Sequence, residues 1–301
     1  MKAQIKKIDV HAHAVLFPEL APPLKITGYR CVSAPEVLDF YDRLGIEKGL
    51  LLPIVSMEGQ WHVITNEACK TLSDRYPDRF LWACNVDPRA AENAPDSDLI
   101  WLLRHYMSLG ARSLGELTSN LYADDPRTEN LLASCEALAL PVTIHVSPAP
   151  GFGYGIVDDL GLPRLEKMLK KHPKLTILGH SQPFWAEMSA DVTEENRNTY
   201  PEGPVKPGRL WRLMEECPNL CCDLSAGSGA NALMRDPENA VRFLETFSDR
   251  IFYGCDICTV TNTFPFAFRD FLDGLREHGE ISEETYYKIA RGNAERLLHL
   301  N

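Results

Sequence analysis

Short apolar runs alternate along this chain with longer stretches whose apolar residues recur at helical spacing. The runs fall at 5–10, 49–55, 80–86, 111–117, 141–146, 175–179, 220–224 and 250–255. Between them lie sets such as Val37/Leu38/Tyr41/Leu44, Leu99/Leu102/Leu103/Tyr106, Leu131/Leu132/Cys135/Leu138 and Leu165/Leu169, which place apolar side chains on one helical stripe. Ser33-Ala34-Pro35-Glu36 reads as a capped helix start, and Gly45, Gly110 and Gly274 mark expected helix ends. Strands separated by helices over roughly 30 to 45 residues imply βαβ units and a parallel sheet. Eight such units predict an α/β fold, a (β/α)8 TIM barrel rather than an open sheet. The tail 282–300 predicts an extra closing C-terminal helix starting at Ser282-Glu283-Glu284. No repeat or change of composition divides the chain, so residues 1–301 are read as a single barrel domain. The polar segment 190–208 follows the sixth strand and is either an exposed excursion or a lid.

Composition narrows the partners. The chain has 301 residues, 45% hydrophobic and 24% charged, with a net charge of −11, which describes an ordinary globular protein. Such an acidic balance argues against nucleic acid and anionic membranes, since no basic surface offsets phosphate repulsion. The longest apolar stretch, 49–55, is too short to span a bilayer, and no apolar segment of signal-peptide type follows the charged start. Nine scattered cysteines in a chain this large suit a reducing compartment. The expectation is a cytoplasmic enzyme with a small-molecule substrate, and a homo-oligomer by base rate.

The chemistry collects where the runs end. Asp9-Val10-His11-Ala12-His13 closes the first run, and strict alternation puts Asp9, His11 and His13 on one face. Two imidazoles two residues apart can grip one divalent ion. The pattern then recurs: Glu116 ends the fourth run, His145 the fifth, His180 the sixth and Asp256 the eighth. In a closed barrel the C-terminal strand ends converge on the mouth where active sites lie. Imidazole and carboxylate delivered there five times point to a metal site.

These residues resemble the amidohydrolase superfamily of metal-dependent barrels. Asn66-Glu67 with Arg75-Tyr76-Pro77-Asp78-Arg79-Phe80, Tyr253-Gly254-Cys255-Asp256, and Gly292-Asn293-Ala294 with Leu297 are similar to the amidohydrolase-2 branch, which includes aminocarboxymuconate-semialdehyde decarboxylase and its relatives. The resemblance implies that His11, His13, His145 and Asp256 bind a first ion. It leaves His180 either to hydrogen-bond the water on that ion or to join Glu116 in holding a second. Two features depart from the branch: Cys255 stands where Ser is usual, and Glu116 adds a carboxylate that many members lack, so one or two ions are implied. Zinc is the first expectation, with manganese and iron also suited to imidazole and carboxylate donors.

The physics of those roles is general. A bound zinc-like ion makes hydroxide available near neutral pH. Asp256 can ligate through one oxygen and take a proton with the other, His180 can polarise a carbonyl, and Asp9 is expected to orient the imidazoles. Arg89, with its planar fork, is a candidate for gripping a substrate carboxylate, His62 for touching substrate, and Phe184 and Trp185 for walling the pocket. Cys255-x-x-Cys258 is formally a redox pair, but Asp256 has the clearer function. The stretch 225–231 is read as a flexible turn in preference to a source of backbone donors to the site. The leading reading is a hydrolase that turns a metal-activated water on a lactone, ester or amide. The alternatives are a lyase that decarboxylates or hydrates an unsaturated or aromatic acid, and a barrel that binds ligand without catalysis.

Overall fold

The computed structural model describes residues 5–25, 27–58 and 63–300. Every apolar run overlaps a strand: β1 (Lys7–Ala12), β2 (Ile46–Leu51), β3 (Phe80–Trp82), β4 (Leu114–Leu117), β5 (Val142–Ser147), β7 (Ile177–His180), β8 (Leu220–Asp223) and β9 (Ile251–Phe252). One two-residue strand, β6 (Ile156–Val157), was not expected; it pairs with the end of β5. All strand pairings are parallel. Two sheets, β1-β2-β3 and β4-β5-β7-β8-β9, meet at both edges. Gly115 N–H donates to the Cys84 carbonyl (2.9 Å) on one side, and Val10 N–H to the Tyr253 carbonyl (3.0 Å) on the other. The ring is closed, a (β/α)8 barrel.

The helices begin where their caps predict. Glu36 accepts from both the Ser33 backbone N–H and its hydroxyl, each at 2.7 Å, and the helix Ala34–Leu44 stops at Gly45 in left-handed conformation (φ 71°). Ser282 caps the closing helix through Thr285 N–H at 3.1 Å. Gly274 does not end its helix. Phe264–Glu277 runs through it because Leu272, Leu275 and Arg276 keep a buried stripe on both sides. Residues 225–231 are likewise not a flexible turn; Ala226–Met234 is a helix with a largely buried face. The closing helix packs Ala294 and Leu297 against Ile8, Val10, Leu178, Cys221 and Phe252, sealing the barrel beneath the strand ends. No helix among the described residues is long and apolar enough to cross a membrane.

Alternation fails at one informative place. Ile8 and Val10 pack with Leu178 and Cys221, two residues before His180 and Asp223, so they occupy the inner face. Asp9 points outward and accepts from the Tyr41 hydroxyl on the surrounding helix at 2.7 Å. The pairing register of β1 shifts between Asp9 and Ala12. That bulge turns His11 inward and corrects the expectation of one shared face for Asp9, His11 and His13.

Candidate active site

Register sets the height of the site. His145 and His180 are paired Cα partners across β5 and β7. Asp256, just beyond β9, donates its backbone N–H to the His11 carbonyl at 2.9 Å. It does so in left-handed conformation (φ 52°), and Ser181, directly after His180, also has positive φ (102°). Non-glycine residues adopt such angles at a cost of about 1–3 kcal/mol, a strain concentrated at functional sites.

The six side chains converge into two lobes. In one, His11 Nε2 and His13 Nε2 lie 3.1 Å apart. Glu116 Oε2 is 3.6 and 3.5 Å from these nitrogens, and Asp256 Oδ1 is 3.8 and 3.6 Å away. In the other, Glu116 Oε1 is 2.6 Å from His145 Nδ1 and 3.9 Å from His180 Nε2. Asp256 Oδ2 is 3.7 Å from that same His180 nitrogen. Each carboxylate therefore turns one oxygen toward each lobe. His11, His13 and Asp256 form one group of potential ligands, Glu116, His145 and His180 another, and His11, His180 and Asp223 a third that overlaps both lobes from behind.

The electrostatics suit a cation. Burial alone would strip His11 of its proton, yet the carboxylates of Asp223, Glu116 and Asp256 reverse this and raise its pKa well above the ordinary value. Burial likewise opposes ionisation of Glu116 and Asp256, but the imidazoles of His145 and His11 hold the first well below the carboxylate range, and His11, His13 and His180 lower the second. A buried cluster that favours positive charge at the tip of His11, ringed by nitrogen and carboxylate donors, is what an imidazole-and-carboxylate metal site requires. The residues fit a divalent ion. His180 is pushed the other way, to about 4, by burial first and the neighbouring His11 charge second, so it remains a neutral imidazole.

The orienting role expected of Asp9 belongs to Asp223. His11 Nδ1–H donates to Asp223 Oδ2 at 2.6 Å, leaving Nε2 free to face the site, and Ser225 Oγ hydrogen-bonds His180 Nδ1 at 2.8 Å. His13 Nδ1–H donates to the Leu52 carbonyl at 2.9 Å. Asp223 is fully buried, and Gly254 lets β9 lie close enough to keep it there, since a Cβ at that position would sit 2.5 Å from Asp223 Oδ1. Asp9 acts on the backbone instead, accepting from His11 N–H and Cys255 N–H at 2.9 Å each. Burial lifts its pKa to about 7. Asp223→Asn should weaken metal binding about 10- to 100-fold, the usual cost of losing such a partner, as read by competition with a chelating dye.

Two substrate-binding expectations are corrected. Arg89 does not offer its fork to a substrate: Nη2 is bonded to Glu58 Oε2 and Asp87 Oδ2, and Nε to Asp87 Oδ1, all at 2.7 Å. Two carboxylates from its own surroundings already satisfy the planar donors. Trp185 does not wall the mouth either. It is 2% exposed, stacks edge-on with Phe184 and Phe243, and donates Nε1–H to the Asp223 carbonyl at 3.0 Å, bracing β8 from behind. Phe184 is also buried. His62 lies outside the described residues. The mouth is instead approached by Tyr154, whose ring lies 4.5 Å from that of His145, and by Cys258, whose thiol donates to Asp256 Oδ1 at 3.1 Å. Tyr200, from the polar segment 190–208, is close enough for Asp256 to raise its pKa further, after burial. All nine cysteines are free thiols.

Comparison with known proteins accords with this geometry. The sequence profile of the amidohydrolase family, in its second branch, matches residues 8–300. Similar solved structures include a 2,6-dihydroxybenzoate decarboxylase from Rhizobium (19% identity, 99% of each chain, TM-score 0.60). A dihydroxybenzoic acid decarboxylase from Polaromonas with bound manganese is also similar (19%, 99% of this chain and 98% of that one, TM-score 0.58). So is a probable 2-pyrone-4,6-dicarboxylic acid hydrolase from Acinetobacter baumannii (14%, 98% and 100%, TM-score 0.61). At these identities the likeness is one of fold. No curated protein matches the chain. With the profile spanning nearly every residue and the strand-end donors in place, the chain belongs to the amidohydrolase family of barrel enzymes, in its second branch.

Proposed function

We propose that this enzyme hydrolyses a small carbonyl compound, a lactone, ester or amide, with two divalent ions. The observation that carries this reading is the placement of Glu116 and Asp256, each with one oxygen toward the His11/His13 lobe and the other toward His180. Carboxylates so placed would help hold two cations, and two-ion sites serve hydrolytic displacement. Bound there, a divalent ion supplies Lewis-acid charge and lowers the pKa of water from 15.7 to about 7.

The chain's own groups do the rest. Asp256, 17% exposed at its side chain, is the acidic group of the cluster most open to the mouth, and takes the proton of the attacking water and passes it to the leaving group. Cys258 steadies one of its oxygens. His180, neutral and braced by Ser225, presents Nε2 to the second lobe or to the substrate carbonyl. Arg89, the residue that would have favoured a carboxylate substrate and a lyase reaction, is neutralised by Asp87 and Glu58, which weighs toward hydrolysis.

Zinc is our first choice of ion, and the nine free thiols support a reducing, cytoplasmic setting. The lyase reading rests on the activities named for two structural neighbours. The two are separated by giving the metal-loaded protein a panel of neutral lactones and esters beside aromatic acids, with acid release followed by pH-stat and carbon dioxide by trapping. Hydrolysis without carbon dioxide is expected. Carbon dioxide release from an acid, with every ester and lactone inert, would overturn the proposal.

A further inference from the structure

The loops at the catalytic end of the barrel have an unusual composition. Of fifteen large hydrophobic side chains exposed among the described residues, eleven lie on the loops that follow the strands. They come from around the ring: Phe17 after β1, Met57 after β2, Phe152 and Tyr154 after β5, Tyr200 after β7 and Val260 after β9. Solvent-exposed apolar residues are ordinary when scattered; gathered at one functional end they mark a binding surface.

One member of this rim lies directly against the donor cluster. Gly155, at φ 110°, brings the loop directly onto β5, and a Cβ there would lie 2.8 Å from the His145 ring. The preceding Tyr154 is thereby laid against His145, at 4.5 Å and 47°. Across the mouth, Tyr200 accepts from Gln182 Nε2 at 3.4 Å.

The arginines of this end are ion-paired, whereas Lys25 and Lys206, on the loops 13–33 and 181–208, are exposed. The arginines on these loops carry their own carboxylates: Arg30 is paired with Glu36 (2.8 Å), Arg89 with Glu58 and Asp87, and the buried Arg197 with Glu194 (3.5 Å). Among the described residues, no Lys or Arg is ion-paired with Glu116, Asp223 or Asp256, whose ion-pair partners are histidines. A carboxylate laid against Tyr154 and Phe152 would lose hydration to aromatic faces that offer no charge in return.

We propose that the substrate is an uncharged carbonyl compound whose apolar, preferably aromatic, body lies against Tyr154 and Phe152, and that the rim discriminates against a carboxylate on that body. This rests on the hydrolase reading for the reacting group, but its recognition element is separate from the metal ligands. Phe152 and Tyr154 act as specificity-determining residues.

The test uses matched probes differing only at the distal position. With the metal-loaded enzyme, calorimetry compares 4-methylacetophenone with 4-acetylbenzoate, and steady-state kinetics compares methyl 4-methylbenzoate with monomethyl terephthalate. The neutral member of each pair should be favoured by at least about tenfold. Tyr154→Ala should erase most of the preference in the calorimetric pair at unchanged metal content, whereas Tyr154→Phe, which keeps the aromatic face, should retain it. Equal or tighter binding of 4-acetylbenzoate would overturn the proposal, as would a preference that survives in a Phe152→Ala/Tyr154→Ala double variant. If the neutral ketone is preferred but neither ester is cleaved, the substrate class stands and the hydrolase reading falls. If both esters are cleaved equally well, the proposal falls and the hydrolase reading stands.

Discussion

If Asp256 is the general base proposed above, Asp256→Asn should lower turnover about 10²- to 10⁴-fold, the range expected when a positioned base is lost, and should leave the barrel folded. The amide has the shape of the carboxylate and keeps an oxygen near the Cys258 thiol, 3.1 Å away in the parent, so packing changes little. What it lacks is an anionic oxygen to accept a proton. It also lacks the second anionic contact to His180, now 3.7 Å away. The measurement pairs kcat with circular dichroism and metal content. A variant with near-parental kcat would remove Asp256 from the chemistry, and an unfolded one would move the question to Asp256→Glu, where the acid is kept but displaced.

His11→Ala should lose metal and activity together and should also destabilise the protein. His11 supplies Nε2 to the first lobe while its other nitrogen satisfies Asp223, 2.6 Å away and fully buried. Removing the ring leaves a buried carboxylate without its strongest partner, a loss on the order of 3 kcal/mol. His13→Ala removes an equivalent proposed ligand but orphans only a carbonyl, that of Leu52, so its metal loss should be similar and its stability loss smaller. The double variant His11→Ala/Asp223→Ala should recover part of the stability without recovering metal, a coupling that denaturant unfolding resolves. Equal stability in the two single variants, or full metal occupancy in either, would contradict the assignment.

Much of this site was legible because a barrel reads out its chemistry at fixed places. His145 and His180 each follow an apolar run, and register alone sets them side by side. Asp223 obeys the same rule at the end of Leu220–Asp223, yet the run of Leu and Cys around it reads as core, so it passed unnoticed. The bulge after Asp9 leaves no mark in an otherwise alternating strand. Arg89 looked available because its neutralising partner Glu58 lies 31 residues away, on a different loop. Trp185 follows His180 closely, but the short helix Gln182–Ala186 turns it back into the core. Tyr154 and Tyr200 sit in loops without periodicity, and only the folded chain brings them to the mouth.

The central claim is that Glu116 and Asp256 hold two ions between two sets of imidazoles. Elemental mass spectrometry on protein purified without chelator, then reconstituted with zinc or manganese, counts the ions directly. The account predicts two equivalents per chain, falling to one or fewer in Glu116→Ala. A single equivalent, unchanged by Glu116→Ala, would contradict the bridging role, and no bound metal under any loading condition would contradict the site itself.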